Sequence, residues 1–501
     1  MQPRRTERTL AALADFAGTP LADALDARAV LDPFPTTLEL FREVAASVPA
    51  YRDFLSSHGV EPTAVTTREA FLALPLVTKD GYLRRYPLET RCRGGELSTC
   101  DFVAVSSGST GEPTFWPRFI SDELAVAARF EHVLHDSFEA DRRRTLAVVC
   151  FPLGTWVGGM FTTACLRHVA AKGYPVTTVT PGNQKPEIFR VVRALAPMFD
   201  QTVLLGYPPF LKDVVDSGVA DGLRWRELGV KLVLAGEVFS EEWRSLMGER
   251  AGMDDPLRDS ASLYGTADAG VLGNETPLTV CIRRFLAERP DAARVVFGEA
   301  RLPTLVQYDP WSRWFEQLGG TLAFTADGGV PLVRYDVGDS GGVVPYAAMI
   351  ARLRDLGLDA EAEVRRRGER GVRPLPFVYV FGRSHFAVSY YGANVFPETV
   401  SVALEQPETR DWVTGKFVME VKEDAARDRE LHLAVELAPG AEANEARLAA
   451  VTDAVVRVLR RLNSEFANYV PPERQRPRVT LLPAGHPEYF PVGVKHRYVR
   501  R

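Results

Sequence analysis

The sequence predicts an α/β protein with a large N-terminal domain, holding α/β sheets and a barrel-like part, and a small C-terminal α/β domain. Three observations predict it. Apolar runs of strand length at 145–151, 176–179, 202–205 and 231–235 are separated by helix-length segments, the spacing of parallel βαβ units. Runs at 295–306, 321–325 and 341–345 then read as short strands near turns, as in an antiparallel or barrel-like part. From Phe377 the pattern restarts in a stretch compact enough for a separate small domain.

Taken in order, the first hundred residues are mainly helical, as at 37–46 and 68–74, and end in Leu76-Val77-Thr78-Lys79-Asp80. The stretch 145–166 carries no charge, long enough to suggest a membrane span. Pro152, Gly154, Gly158 and Gly159 interrupt it, so it reads as a buried strand, a glycine-rich turn and the start of a buried helix. The charged segment 351–373, with Arg365-Arg366-Arg367 and Arg370, reads as a solvated helix and loop. Beyond it come strands at 377–381 and 386–390 and a helix at 397–406. A strand pair, 416–421 and 430–437, and a helix at 444–466 complete the chain. The joint is expected at Phe381-Gly382-Arg383-Ser384-His385, giving domains 1–381 and 382–501.

Composition narrows the class. A chain of 501 residues is too long for one small core, and 46% hydrophobic with 25% charged residues is ordinary for a soluble globular protein. Lysine plus arginine number 60 and aspartate plus glutamate 65, a net charge of −5, which gives no general attraction to nucleic acid or an anionic membrane. The five cysteines, Cys92, Cys100, Cys150, Cys165 and Cys281, form no CxxC pair and no disulfide framework. The charged start lacks an apolar signal core, so a cytoplasmic location is expected. The oligomeric state stays open, with a homodimer among the options.

A short strand, Val103-Ala104-Val105, runs into Ser106-Ser107-Gly108-Ser109-Thr110-Gly111-Glu112-Pro113-Thr114. The hydroxyls of Ser107, Ser109 and Thr110 can donate to phosphate oxygens, and Gly108 and Gly111 let the backbone turn its N–H groups towards an anion. The same residue types also make ordinary hairpin turns. The Gly-Lys-Ser/Thr ending of the nucleotide-hydrolase P-loop is absent. Four further segments follow: Leu234-Ala235-Gly236-Glu237-Val238-Phe239, Leu263-Tyr264-Gly265-Thr266-Ala267-Asp268-Ala269-Gly270, Leu332-Val333-Arg334-Tyr335-Asp336-Val337-Gly338-Asp339 and Gly392-Ala393-Asn394-Val395-Phe396-Pro397. The chain ends Pro491-Val492-Gly493-Val494-Lys495-His496-Arg497-Tyr498, followed by three more residues.

In this order the segments resemble the adenylate-forming superfamily of acyl- and aryl-coenzyme A ligases, peptide-synthetase adenylation domains and luciferases, the phenylacetate–coenzyme A ligase family above all. The resemblance spans roughly residues 70–500 and implies an ATP- and substrate-binding domain with a small, hinge-mobile C-terminal domain. It implies that Ser107, Gly108, Ser109, Thr110 and Gly111 close over the β- and γ-phosphates of ATP. The Gly236–Glu237 backbone would line the adenine pocket, Tyr264 and Gly265 would lie near the adenine, and Thr266 would donate to the α-phosphate. Asp268, standing where glutamate is usual, would help hold Mg²⁺, which prefers hard oxygen ligands. Asp339 would accept from the ribose hydroxyls, and Arg383 would reach the ribose or phosphate. Lys495 would be the adenylation lysine, although an exposed cationic tail is the plainer reading of those residues. Gly392 and Asn394 would come to the site for thiol attack. His385 and Tyr391 depart from the usual aspartate and arginine.

The implied reaction is attack of a carboxylate, an aryl or arylacetic acid by the resemblance, on the α-phosphorus of ATP, followed by transfer to a thiol, coenzyme A. Fixed donors and a metal are its main catalytic means, because charge spreads over phosphate oxygens. An amine, a carrier protein or nitrite-dependent diazotisation of an aryl amine remain alternatives for the second step, and a non-catalytic nucleotide-binding protein for the whole. Phe151 to Trp156 and Tyr207-Pro208-Pro209 are expected at the acid pocket. Asp336 suits a turn, and His132 and His135 read as surface or packing residues without further metal ligands at useful spacing.

Overall fold

The computed structural model describes residues 5–105, 114–155, 157–368, 370–383, 388–391, 393–423, 429–463, 466–467, 470–491 and 496–500. After the helices Phe34–Ser47 and Pro49–Ser57, strands β1 (Phe102–Val105) and β2 (Phe115–Arg118) pair antiparallel, with Val105 opposite Phe115. They bracket the serine–glycine segment, and β2 feeds the helix Ile120–Asp136.

The parallel strands are β3 (Thr145–Val149), β4 (Val176–Val179), β5 (Gln201–Gly206), β6 (Val230–Ala235) and β7 (Ser260–Thr266). The residues of β3 and β5 are buried throughout, because apolar layers cover both faces of the sheet. One layer packs Val126, Phe130, Phe161 and Leu166 against the strands; the other packs Ile188, Val192, Leu211 and Trp243. As expected, the uncharged stretch forms β3 and then the helix Val157–Ala171. No helix among the described residues is long and apolar enough to cross a membrane.

The sheet continues antiparallel through β8 (Gly270–Asn274), β9 (Thr304–Gln307), β10 (Arg313–Leu318), β11 (Thr321–Ala326), β12 (Leu332–Val344) and β13 (Phe377–Arg383). Eleven strands form one sheet in the order β10-β11-β12-β13-β9-β8-β7-β6-β5-β3-β4. One reading is corrected here. Residues 295–297 are not strand but the end of the helix Pro290–Phe297, which proline opens and the left-handed Gly298 closes. The segment 351–373 is helical in part, yet it is not simply solvated. Arg370 pairs with Asp141 at 2.6 Å and Arg373 with the buried Asp136 at 2.9 Å.

The last part has its own core, built on Val395, Phe417, Leu433, Val455 and Leu459. A hairpin, β14 (Val388–Tyr390) and β15 (Ala393–Val395), leads to the helix Pro397–Leu404. A three-stranded sheet follows, β16 (Val413–Glu423), β17 (Arg429–Leu437) and β18 (Arg478–Leu482), with the helix Glu445–Leu462 capped by the Asn444 side chain. Strand β18 joins β17 in parallel and has no counterpart in the sequence reading.

Candidate active site

Strand β7 ends at Tyr264-Gly265-Thr266 and turns back through Ala267-Asp268-Ala269 into β8. A Cβ on Gly265 would lie 2.6 Å from the Gly270 carbonyl, so only glycine permits this return. Two buried arginines clamp it: Arg118 donates to the Ala267 carbonyl at 2.5 Å and Arg313 to that of Ala269 at 3.1 Å. Inside the turn, the Thr266 hydroxyl accepts from the Ala269 N–H at 3.2 Å. Arg118 stands on β2, so the exit strand of the serine–glycine segment is bonded directly to the Asp268 turn.

Asp268 is only 6% exposed. Its Oδ2 accepts from the Tyr335 hydroxyl at 2.6 Å and lies 3.9 Å from the Lys79 ammonium. Lys79 arrives through an isolated bridge between Val77 and Tyr335: Val77 N–H donates to Arg334 O at 3.1 Å, and Asp336 N–H to Val77 O at 2.9 Å. Arg334 adopts φ +49, a strained value for arginine. Its guanidinium, ion-paired with Glu316 at 2.8 Å and donating to the Leu74 carbonyl, holds that conformation.

On β12, Asp336 makes the expected turn, accepting from the Gly338 N–H at 2.9 Å. Asp339, buried beyond it, accepts from the Tyr264 hydroxyl at 2.8 Å and is the backbone partner of Arg383 across β12 and β13. Thus Tyr264, Thr266, Asp268, Asp339 and the backbone of Arg383 converge. Gly236 and Glu237 follow β6, whose end lies beside that of β7, with Ala235 opposite Leu263. Ligand sites of open α/β sheets lie at such carboxyl edges. Gly236 has φ +84, and a Cβ there would sit 2.7 Å from the Tyr207 ring. Tyr207 in turn meets Phe151 edge-to-face at 5.1 Å, so the two segments expected at the acid pocket do come together.

Ser107, Gly108, Ser109, Thr110, Gly111, Gly392 and Lys495 lie outside the described residues, as do Trp156, Ser384 and His385. Asn394 is placed by its backbone opposite Ser389. The side chain of Glu237 accepts from the Tyr498 hydroxyl at 2.5 Å. His132 is a packing residue and not a surface one: it is fully buried, 3.3 Å from Asp136 and in contact with Asn274. Sequence reasoning did not assign Lys79, Tyr335, Arg118 or Tyr498 to the site. Lys79, Tyr335 and Tyr498 stood inside quoted segments and Arg118 outside them, and all four are recruited by contacts between distant segments.

Among the described residues no group of three or more His, Cys, Asp or Glu side chains could hold a metal. Asp268 alone fits a Mg²⁺ that brings phosphate oxygens as its other ligands. The Lys79 ammonium disfavours a bare cation beside Asp268, so a metal there fits as a metal–phosphate complex.

No family model matches the sequence, and no curated protein matches it. Among solved structures, 2-hydroxyisobutyryl-CoA ligase in the postadenylation state in complex with R3-HIB-AMP superposes with a TM-score of 0.66 at 17% identity, covering 93% of this chain and 88% of that one. The fold is the adenylate-forming one. The same ligase with 2-HIB-AMP in the postadenylation state gives a TM-score of 0.63 at 17% identity, with 93% and 88% covered. With 2-HIB-AMP and CoA in the thioesterification state it gives 0.52 at 17% identity, with 96% and 90% covered.

Proposed function

We propose that this chain is an ATP-dependent ligase that adenylates a carboxylic acid and passes the acyl group to a thiol, coenzyme A. The observation that carries this is the meeting of Asp268 and Asp339 at one sheet edge, each held by a tyrosine from a different motif. The structurally similar ligase binds an acyl-adenylate and CoA, which supports the same two-step chemistry here.

In the first step a carboxylate oxygen attacks the α-phosphorus of ATP, a new P–O bond forms, and the bond to the β-phosphate oxygen breaks to release pyrophosphate. In this reading Thr266 and Lys79 would meet charge that develops on the α-phosphate, with Lys495 as the adenylation lysine. A Mg²⁺ held by Asp268 would neutralise phosphate charge. Asp339 holds the ribose, and Gly236, Glu237 and Tyr264 surround the adenine. Ser107, Ser109 and Thr110 grip the leaving pyrophosphate. In the second step the thiol sulfur attacks the acyl carbon, its proton is lost, and AMP leaves with the bonding pair. The small domain, joined near 381–382, turns to bring Gly392 and Asn394 to that step.

Phe151 and Tyr207 form an aromatic wall that suits a planar aryl or arylacetic acid. The free cysteines fit a reducing, cytoplasmic setting. ATP–pyrophosphate exchange across a panel of carboxylic acids tests the first step, with separate product assays using coenzyme A, amines and nitrite for the second. Exchange that depends on an acid is expected; ATP binding with no exchange on any acid would sink the reading.

A further inference from the structure

Two of the five cysteines meet outside the site described above. Cys92 is fully buried in the core that holds Phe41 and Tyr51, and Cys100 packs half-buried against the same core. The chain between them doubles back. Tight turns at Arg93–Gly95 and Leu97–Thr99 shorten it, and Gly94 and Gly95 take φ +68 and +75, values that glycine adopts without strain. The reversal brings the two thiols into hydrogen-bond contact with each other. Cys92 Sγ also lies 3.5 Å from the Leu88 carbonyl, and Cys100 Sγ lies 3.8 Å from the Thr99 hydroxyl and 4.0 Å from the Gly329 carbonyl.

The two sulfurs have different surroundings. Arg93 is fixed near Cys100 by Asp327 at 2.6 Å, Glu43 at 2.8 Å and the Gly328 carbonyl at 3.1 Å. The hydrogen bond from Cys92 holds the Cys100 thiol below the ordinary thiol range. The Thr99 hydroxyl and the Arg93 charge act the same way, while burial and Asp122 oppose them. The same contact, together with burial, pushes the Cys92 thiol up. Burial also pushes up the thiols of Cys150, Cys165 and Cys281. The pair therefore joins a half-exposed sulfur that favours the thiolate to a protonated one in contact with it, the arrangement of an attacking and a resolving thiol.

We propose that Cys100 and Cys92 form a peroxide-oxidisable dithiol, a modification site separate from the nucleotide motifs. The Cys100 thiolate attacks one peroxide oxygen and the O–O bond breaks. Cys100 becomes a sulfenic acid, and the other oxygen leaves as hydroxide and takes up a proton. The Cys92 sulfur then attacks the Cys100 sulfur, the S–O bond breaks, and the Cys92 proton leaves with that oxygen as a second water. Two thiols lose two electrons in all and the peroxide gains them. The disulfide would fasten the chain just ahead of β1, where the Asp101 N–H donates to the Arg118 carbonyl at 2.8 Å.

Full-length chain, reduced and then freed of reductant, is treated with hydrogen peroxide and digested without reduction. Trypsin cuts after Arg91, Arg93 and Arg118, so a disulfide between Cys92 and Cys100 joins two separate peptides that mass spectrometry reads directly. That joined pair is expected, with Cys150, Cys165 and Cys281 still reduced. In Cys92→Ala a dimedone-trapped sulfenic acid is expected at Cys100 with no disulfide, formed about three-fold more slowly than the first step in wild type. Cys92→Ser returns a hydrogen-bond donor and is expected to recover that rate without the disulfide. Before peroxide is added, iodoacetamide at neutral pH should label Cys100 about ten-fold or more faster than the other four cysteines. Native wild type that yields no joined pair, that pairs Cys100 with another cysteine, or that oxidises Cys100 no faster than Cys150, Cys165 and Cys281 would overturn the proposal. A joined pair formed only when peroxide meets unfolded chain would overturn it too. Each of these outcomes leaves the ligase reading where acid-dependent exchange puts it, because neither thiol belongs to a nucleotide motif.

Discussion

Tyr335 and Asp268, 67 residues apart in sequence, are joined by a hydrogen bond of 2.6 Å from the phenol to the carboxylate. That bond fixes which carboxylate oxygen remains for a metal. Asp268→Asn is expected to lower exchange by about a hundred-fold and raise the Mg²⁺ concentration needed for half-maximal rate. Tyr335→Phe, which only frees the carboxylate to rotate, should cost about ten-fold, the usual range for partners that orient a metal ligand. Titrating Mg²⁺ against initial exchange rate checks both; an unchanged Mg²⁺ requirement in Asp268→Asn would remove the metal role.

The Tyr264–Asp339 bond makes a different prediction. If Asp339 holds the ribose, Asp339→Ala raises the KM for ATP by about ten-fold or more and changes kcat little, because the interaction is made equally in ground and transition states. Wild-type enzyme should discriminate against 2′-deoxy-ATP or 3′-deoxy-ATP, and the variant should lose that discrimination. Discrimination that survives intact in Asp339→Ala would exclude the ribose contact.

Behind the site, Arg244 donates to Glu275 through one guanidinium nitrogen at 2.8 and 2.9 Å and to Glu241 at 2.9 Å, all three buried. Glu275 also accepts from the Ser262 N–H of β7 at 2.7 Å. Arg244→Met leaves the two buried carboxylates chiefly to Arg283, 3.2 Å from Glu241 and 3.1 Å from Glu275, and the expected cost is about 3 kcal/mol in chemical denaturation. A loss below about 1 kcal/mol would show that Arg283 satisfies both acids without Arg244.

Docking of the small domain should depend on pH. Burial, opposed by Arg301, pushes the Glu398 carboxyl up to about 7, and burial, opposed by a Ser240 hydrogen bond, pushes Glu405 up to about 8. Both acids bind protons more tightly in the docked arrangement than in water. Their contribution is complete below the ordinary carboxylate range near 4.5 and is lost as pH rises through 7 to 8. Scattering or limited proteolysis between pH 6 and 9 should show the small domain loosening as pH increases. Glu405→Gln should flatten the change; a profile that tightens with pH would contradict it.

The parallel strands were legible because each is a short apolar run buried on both faces, and burial of that kind leaves a local mark. The end of the helix Pro290–Phe297, residues 295–297, was misread as strand, although the helix's signals were present. Pro290 and Gly298 bracket it, and its buried Ala293, Val296 and Phe297 contrast with Val295, which is 66% exposed. Arg370 and Arg373 read as solvent-facing because their carboxylate partners, Asp141 and Asp136, lie more than two hundred residues earlier.

By itself the sequence determined the α/β class and the order of the motifs, and the candidate roles of Thr266, Asp268 and Asp339 are what the resemblance of those motifs to a known family implies. Class and motif order depend on local spacing and residue type, both of which are written along the chain. Tertiary structure alone decided that Tyr335 and Lys79 attend Asp268, that Tyr264 binds Asp339, and that Tyr498 reaches Glu237. The physical reason is that a hydrogen bond or ion pair needs its partners within a few ångströms. Strand order and domain docking set those distances, and no local pattern records them.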